Sequence, residues 1–263
     1  MVERRLKGDA GMQMVWLTAL GVGGATVIGA VIGFFFRKMS HRHSDIILSF
    51  AAGVMLAAAV IGLILPSLEG GGDWAVVVTA AGILLGALCL NLLDRLVPHL
   101  HRLSGVDQEA HPDQAKSINK VLLFVTAIAI HNLPEGIAAG VGFGTGNTAE
   151  AITIAAGIAL QNIPEGMVII APMLAAGISP RRTFIAAAMT GLVEVLGTLL
   201  GYLAVSISAA ILPFALAFAG GTMLYVISDE MIPETHAHGS ERGATWALLL
   251  GFILMLAMTH YLG

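Results

Sequence analysis

Charged side chains are scarce in this sequence. Asp, Glu, Lys and Arg make up 11% of its 263 residues, whereas an ordinary soluble domain has about 25%. A soluble domain of this length could not cover its surface with so few charges. The mean hydropathy of +0.86 and the long apolar runs also exclude a disordered chain, a collagen-like fibre and a nucleic-acid-binding protein. The single cysteine, Cys89, excludes an intrachain disulfide and a cysteine-rich zinc module.

Eight apolar runs are each long enough to cross a bilayer as a helix, which takes roughly 20 residues. The short alternating segments of a membrane barrel do not occur, so helices must satisfy the backbone hydrogen bonds. We therefore predict an all-α polytopic membrane protein with one transmembrane domain over residues 1–263. The runs are 14–36, 46–68, 74–97, 118–143, 149–174, 183–205, 208–231 and 245–262.

The segments outside the runs are short and polar. Residues 1–13 are expected to form a short polar N-terminal tail, and residues 98–117 a cytoplasmic loop between the third and fourth helices. Ten of the thirteen Lys and Arg residues lie in or beside alternate connections, and the other three are in the tail. Because basic residues stay on the cytoplasmic side, we expect both termini outside, in a bacterial inner membrane. Glycine pairs four residues apart, such as Gly29 with Gly33 and Gly197 with Gly201, favour close helix packing.

One six-residue pattern occurs twice, thirty residues apart. Residues 131–136 read His-Asn-Leu-Pro-Glu-Gly, and residues 161–166 read Gln-Asn-Ile-Pro-Glu-Gly. Each copy is near the middle of its run, where a charged side chain costs about 2.5 to 3.5 kcal/mol. Glu194 adds a third carboxylate at the same depth, and no Lys or Arg lies there. Protons or a bound metal ion must therefore neutralise these carboxylates.

Helical geometry indicates how the motif side chains point. Since each residue advances about 100° around the axis, Glu135 lies between His131 and Asn132 and can share one metal ion with each. The same arithmetic applies to Glu165 in the second copy. Two such helices face to face predict two adjacent metal positions bridged by the two glutamates. The prolines of the motifs free backbone carbonyls and kink the helices, which is typical of transporters.

The ligand types favour Zn²⁺, Fe²⁺, Mn²⁺ or Cd²⁺ over alkali ions. Met55, in the middle of the second run, could add a thioether ligand or could simply fill the core. A structural alternative for the motifs is a pair of protonated glutamates that stabilise helix packing. Another open question concerns a polar group at the inner helix ends, which is either a solvated boundary or a metal exit route. Its members are Asp94, His99, His101, Asp229, Glu230, Glu234, His236 and His238.

Both motif copies, with Phe-Ala-Ala-Gly at 50–53, Leu-Pro at 65–66 and Ile-Pro-Glu-Thr-His at 232–236, resemble the ZIP (Zrt/Irt-like protein) family of divalent-metal transporters, in particular its prokaryotic branch. The resemblance extends over nearly the whole chain. It implies eight helices in a 3+2+3 arrangement, with the first three and last three related by a pseudo-twofold inverted repeat. It also implies a homodimer, metal uptake into the cytoplasm and an elevator-like movement of the metal-carrying helices.

The resemblance further implies two metal positions. The first position falls on Met55, His131, Glu135, Gln161 and Glu165. The second falls on Asn132, Glu135, Asn162, Glu165 and Glu194. A prokaryotic member of the family has Asp where this chain has Asn162, which removes a charge from the second position, and His where this chain has Asp229.

The expected function is a secondary transporter that imports Zn²⁺, and also Cd²⁺, Fe²⁺ or Mn²⁺, by alternating access through a midplane site on the fourth and fifth helices. The metal is a transported substrate in this hypothesis; no cofactor and no enzymatic activity are expected. The alternative is an integral-membrane metalloenzyme such as an intramembrane protease. That class favours a motif such as H-E-x-x-H, which does not occur here. A proton-conducting or purely structural membrane protein is the third possibility.

Overall fold

The computed structural model describes the backbone of residues 2–37, 39–103 and 112–263, and the side chains of 11–37, 39–93, 95, 125–208 and 210–263. Every regular element in this part of the chain is helical. Two π-helical segments, Ala58–Ile64 and Ile227–Met231, join α2 to α3 and α8 to α9. The helices are α1 Val2–Phe35, α2 His41–Ala57, α3 Leu65–Gly70, α4 Ala75–Leu103, α5 Pro112–Gly142, α6 Thr148–Ala175, α7 Pro180–Ile207, α8 Leu212–Val226, α9 Ile232–Thr235 and α10 Glu241–Leu262.

Joined through the π-helical segments, these helices form eight long helical segments, which correspond to the eight predicted runs. Within the described residues, seven segments contain a stretch that is long and apolar enough to cross a membrane. The eighth segment is α5, which carries the first motif copy. The chain is therefore an all-α polytopic membrane protein, and the predicted fold class is confirmed.

Three helix ends differ from the boundaries that hydropathy predicts. Helix α1 begins at Val2, so the backbone of the predicted polar tail is already helical. Helix α4 continues to Leu103 and α5 begins at Pro112, so both enter the predicted loop at 98–117. Hydropathy marks where the apolar side chains stop, whereas a helix can continue among polar ones. The side chains of Asp94, His99 and His101 lie outside the described residues, so their predicted role stays a prediction.

The helices form two sets of closely packed neighbours. One set contains α1, α5, α6 and α7, and the other contains α2, α4, α8 and α10. Exchanging the first three long segments with the last three, and α5 with α6, maps the contacts onto each other: α1 with α6 corresponds to α7 with α5, and α2 with α10 corresponds to α8 with α4. The packing therefore follows the internal repeat that the resemblance implies.

Glycines show the repeat residue by residue. A Cβ atom at Gly29 would meet the backbone carbonyl of Ile163, and a Cβ atom at Gly197 would meet that of Leu133. Glycine is required at both places because two helix backbones touch there. Gly29 and Gly197 are equivalent positions in the two halves. Their contact partners, Ile163 and Leu133, are equivalent positions in the two motif copies.

In the same internal repeat, Thr26 of α1 is equivalent to Glu194 of α7. Gly166 packs against the carbonyl of Thr26, and Gly136 of the other motif packs against the carbonyl of Glu194. The positions are therefore equivalent in the fold, although one carries a hydroxyl and the other a carboxylate. Thr26 and Glu194 therefore lie in the first helix set, and each packs against one of the two motif copies.

Contacts between the two helix sets have a different character. Gly62 of the first π-helical segment faces the side chain of Ile154 on α6, and Gly157 of α6 faces the side chain of Met255 on α10. At these positions side chains, and not backbones, fill the space between the sets. Each set is therefore held together by backbone contact, whereas the boundary between the sets includes bulky and adaptable side chains.

Candidate metal site

A cavity of about 520 Å³ opens beside the two motif helices. Its buried floor contains His131, Glu135 and Glu165. Its rim lies in α9 and just beyond it, where Glu234 and Ala237 are exposed. None of its lining residues, in the part of the chain that the structure describes, is Lys or Arg. Apolar side chains share the lining, but its acidic residues and its one imidazole favour a cation.

The floor is assembled by helix spacing and by the contact between α5 and α6. His131 and Glu135 are four residues apart and share one face of α5. The carboxylates of Glu135 and Glu165 lie close enough to interact electrostatically, and their residues are only 1% and 8% exposed. Two ionised carboxylates in such a place repel each other and lack solvent, so a divalent cation between them would relieve both costs.

His131 is paired with a residue of the other helix set. Its Nε2 lies 2.8 Å from Oε1 of Glu230, which belongs to the π-helical segment between α8 and α9. Glu230 is about a third exposed, and the neighbouring Asp229 also lines the cavity. From the sequence alone, Glu230 could belong either to a solvated boundary or to a metal exit route. The structure places it in the cavity wall, within reach of the floor.

Glu194 is fully buried and accepts hydrogen bonds from three other helices. Thr26 Oγ1 of α1 donates to Oε1 at 2.7 Å, and Asn162 Nδ2 of α6 donates to Oε2 at 2.6 Å. Asn132 Nδ2 of α5 also donates to Oε1. These four residues, Glu194, Thr26, Asn132 and Asn162, are called the Glu194 cluster below. Because donors from three other helices meet one side chain of α7, the Glu194 cluster ties the first helix set together.

In the Glu194 cluster the two Asn side chains direct their NH₂ groups, and not their oxygens, at the carboxylate. The oxygens Oδ1 of Asn132 and Asn162 are buried and have no hydrogen-bond donor among the described residues. Turning either amide would place its oxygen against the Glu194 carboxylate, which is unfavourable while that group is ionised. The structure thus brings the three residues particular to the second predicted metal position together, and joins them by hydrogen bonds.

Met55 and Gln161, two ligands of the first predicted position, are not among the described residues that line this cavity. Met55 is fully buried in the main apolar cluster. Gln161 is also fully buried, and its amide faces Glu135 without forming a well-shaped hydrogen bond. Buried polar atoms without partners indicate a place for a missing group. Gln161 and Glu135 are therefore compatible with a metal ion between them.

The floor does not contain a conventional cluster of charged ligands. Among the described residues, no three His, Cys, Asp or Glu side chains converge in a way that could hold a metal ion. A metal site here must therefore combine the imidazole of His131 and the glutamates with weaker ligands such as the Gln161 amide, or recruit Glu230 from the cavity wall. Such a mixed set of ligands would hold an ion weakly enough for the ion to be released.

Comparisons with known proteins agree with this architecture. The family model "ZIP Zinc transporter" matches residues 101–259, which include both motif copies. The zinc transporter GufA of Myxococcus xanthus is 41% identical over 253 residues, covering 94% of this chain and 98% of that protein. The zinc transporter ZIPB of Bordetella bronchiseptica is 39% identical over 245 residues, covering 91% and 78%. The zinc transporter ZIP11 of Homo sapiens is 31% identical over 341 aligned positions, covering 98% and 100%. The family inferred from the motifs is confirmed, and this chain belongs to the ZIP zinc-transporter family.

Proposed function

We propose that this chain is a secondary transporter that imports divalent metal ions, Zn²⁺ foremost, by alternating access. The observation that carries the proposal is the acidic cavity with His131, Glu135 and Glu165 at its buried floor. The relatives GufA and ZIPB are zinc transporters, which supports zinc as the substrate. Imidazole, carboxylate and amide ligands also suit Cd²⁺, Fe²⁺ and Mn²⁺. The metal is cargo in this proposal, and we propose no cofactor.

The cavity supports a conformation in which the metal site is open to only one side of the membrane. Its rim lies beside the connection that leads into α10, whose first turn contains Arg242, and basic residues at helix ends mark the cytoplasmic side. We therefore propose that the described conformation faces the cytoplasm, with both termini outside, in a bacterial inner membrane. Ser40→Cys and Ser179→Cys in a Cys89→Ala background should resist an impermeant maleimide in intact cells. Ready labelling of both would reverse the orientation.

The two helix sets suggest how access alternates. The metal ligands on α5 and α6 belong to the first set, which the Glu194 cluster and the glycine contacts hold as one body. Met55 and Glu230 belong to the second set. A displacement of the first set against the side-chain boundary would carry the metal past fixed residues of the second. This supports the elevator-like movement that the resemblance implies.

The competing classes differ in what they would do with zinc. The family and its relatives are transporters, and the chain is not an enzyme. A proton-conducting or structural membrane protein would leave zinc outside a sealed vesicle.

We also propose a homodimer, as the resemblance implies. Mass measurement of the purified protein in detergent would show a single protomer if that proposal is wrong.

Zinc uptake into proteoliposomes tests the proposed function. The unmodified chain should accumulate Zn²⁺, and Glu135→Ala or Glu165→Ala should each reduce uptake to the level of empty liposomes, because each removes a floor carboxylate. Glu150→Ala is the matched control, since Glu150 lies in the first turn of α6, away from the cavity. A correctly inserted Glu135→Ala or Glu165→Ala protein that transports at the parental rate would contradict the proposal.

A further inference from the structure

An open groove is lined by the end of α1, the start of α2 and part of α6. It consists of two neighbouring cavities of about 600 and 360 Å³, which share Phe36, Met39 and Met167. This pair of cavities is called the α1–α2 groove below. Helices α1 and α6 belong to the first helix set and α2 to the second. The groove therefore lies on the boundary between the two sets.

The α1–α2 groove has a mainly apolar body and a basic end. Apolar side chains, among them Phe35, Phe36 and Ile47, line most of the larger cavity, whereas the smaller cavity contains Arg37. Arg37 is exposed and forms no ion pair with any described residue. None of the described residues that line the groove is acidic. The groove is therefore suited to a molecule with an apolar part and an anionic part.

The groove lies at the level where lipid headgroups meet lipid chains. The first apolar run ends at Phe36 and the second begins at Ile46, and the segment 37–45 between them contains three basic residues. Phe35, at the end of α1, is 81% exposed, as expected for a side chain in contact with lipid. Basic pockets between transmembrane helices bind anionic lipid headgroups. An anionic phospholipid therefore matches both ends of the groove.

The internal repeat allows the groove to be compared with the same place in the other half of the fold. Thr26 and Glu194, which are equivalent positions on α1 and α7, are 168 residues apart. The same offset relates α2 to α8, because the carbonyls of Phe50 and Phe218 each lie against a glycine of the neighbouring helix, α10 or α4. One offset therefore relates the α1–α2 groove to its counterpart between α7 and α8.

Apolar side chains fill that counterpart. Val205 and Leu212 converge there on Gly144, where an added Cβ atom would lie 3.0 and 2.8 Å from them. The equivalent positions in the groove are Arg37 and Ser44, which are polar and line the open space. The fold thus closes this place in one half with two apolar residues and leaves it open in the other half beside two polar ones. This difference indicates that the groove holds an occupant.

We propose that the α1–α2 groove binds one anionic phospholipid, with the phosphate at Arg37 and an acyl chain along Phe36 and Met39. The lipid contacts both helix sets, and it stabilises the conformation in which the groove is open, because a ligand favours the conformation that it binds best. The lipid thereby regulates the displacement of one set against the other. This regulatory role rests on the proposed transport function, whereas the binding of the lipid does not.

Native mass spectrometry of the delipidated, full-length protein in detergent tests the binding. One dioleoylphosphatidylglycerol molecule per protomer should stay bound at a concentration at which dioleoylphosphatidylcholine does not. Arg37→Gln should lower the bound fraction about fivefold, as expected for one basic residue beside an anionic headgroup. Met39→Asp should also lower it, because the new carboxylate repels the phosphate and packs poorly against an acyl chain. Size-exclusion profiles identify any variant that fails to fold.

Arg181→Gln is the matched control for Arg37→Gln. Arg181 is an exposed basic residue in the first turn of α7, outside the groove, so its variant should bind as the unmodified chain does. Glycerol 1-phosphate carries the phosphate without an acyl chain and should not displace the lipid. Equal retention of the two lipids, an unchanged bound fraction in Arg37→Gln, an equal loss in Arg181→Gln, or displacement by glycerol 1-phosphate would each overturn the lipid site.

Zinc uptake tests the regulatory role. The unmodified chain and Arg181→Gln should change their maximal uptake rate between phosphatidylcholine liposomes with and without phosphatidylglycerol, and Arg37→Gln should change much less. The membrane surface charge attracts zinc equally for all three proteins, so an identical dependence in all three would overturn the regulatory role. If the unmodified chain retains phosphatidylglycerol but takes zinc into neither kind of liposome, the proposed function fails while the lipid site stands.

Discussion

The side-chain amide of Asn162 donates a 2.6 Å hydrogen bond to Oε2 of Glu194. This bond joins α6 to α7 where the family resemblance implies a second metal ion. A carboxylate at position 162 could not donate it, whereas the amide can. Neutral donors from Asn162, Asn132 and Thr26 therefore all meet the carboxyl group of Glu194.

Asn162→Asp should create a second tight metal position. The substitution replaces a donor by a second carboxylate beside Glu194, and an ion pair at about 4 Å is worth roughly 4 kcal/mol at an effective dielectric of 20. We expect one tightly bound Zn²⁺ per protomer in the unmodified chain and two in Asn162→Asp, measured by calorimetry or anomalous scattering.

Asn147→Asp is the matched control for this change. Asn147 caps α6 by accepting a hydrogen bond from the backbone of Glu150, and Asp caps a helix equally well. Two equally tight ions in the unmodified chain would show that the Glu194 cluster opens to admit metal.

Glu230→Gln should slow transport without abolishing it. The amide keeps an oxygen ligand beside His131 but removes the charge that stabilises an ion leaving the floor. Removing a partly exposed charge costs about 1 kcal/mol, so the maximal uptake rate should fall roughly fivefold, with a smaller change in KM. Glu234→Gln, at the exposed rim of the same cavity, should have a weaker effect. A parental rate in Glu230→Gln would make its contact with His131 purely structural.

Met55→Ala distinguishes a metal ligand from a packing residue. A thioether favours Cd²⁺ over Zn²⁺ and Mn²⁺, so the substitution should weaken Cd²⁺ binding most. Met223 is the equivalent buried residue in the internal repeat, and Met223→Ala serves as the control. Both changes should lower the free energy of unfolding by about 2 to 5 kcal/mol through the cavity they leave. Equal losses of affinity for all three ions would assign Met55 to packing alone.

Gly29→Ala should destabilise the first helix set. The added Cβ atom would collide with the backbone carbonyl of Ile163, which cannot move aside as a side chain would. Overpacking of this kind costs about 1 to 3 kcal/mol, so the thermal unfolding midpoint in detergent should fall. Gly24→Ala, on the same helix, meets nothing within 4 Å and should keep or raise the midpoint. Equal midpoints for the two variants would contradict the close packing of α1 and α6.

Local patterns in the sequence were sufficient for the fold class and for the floor of the cavity. Hydropathy identifies each long helical segment, because a bilayer requires long apolar runs. Four-residue spacing places His131 and Glu135 on one face of α5, and the repeat places Glu165 equivalently on α6. These relationships depend only on residues that are neighbours along one helix.

Relationships between helices could not be read in the same way. Glu230 reaches His131 from a π-helical segment, and the wider turn of that segment changes the direction of every residue in it relative to an α-helix. The orientation of the Asn162 amide depends on Glu194 and on its other donors, which belong to distant parts of the chain. Asp45 and His238, whose side chains contact each other, are 193 positions apart, so no spacing rule relates them.

Because Thr26 and Glu194 are equivalent positions, the fold does not require the carboxylate to come from one particular half. Both motif copies carry an Asn that can donate, and each faces the pair from its own helix. A chain with Thr26→Glu and Glu194→Thr would have the same four groups in the places related by the pseudo-twofold, with the carboxylate on α1 and the hydroxyl on α7. The repeat therefore offers two equivalent positions for the acid, and the residue types at 26 and 194 decide which half carries it.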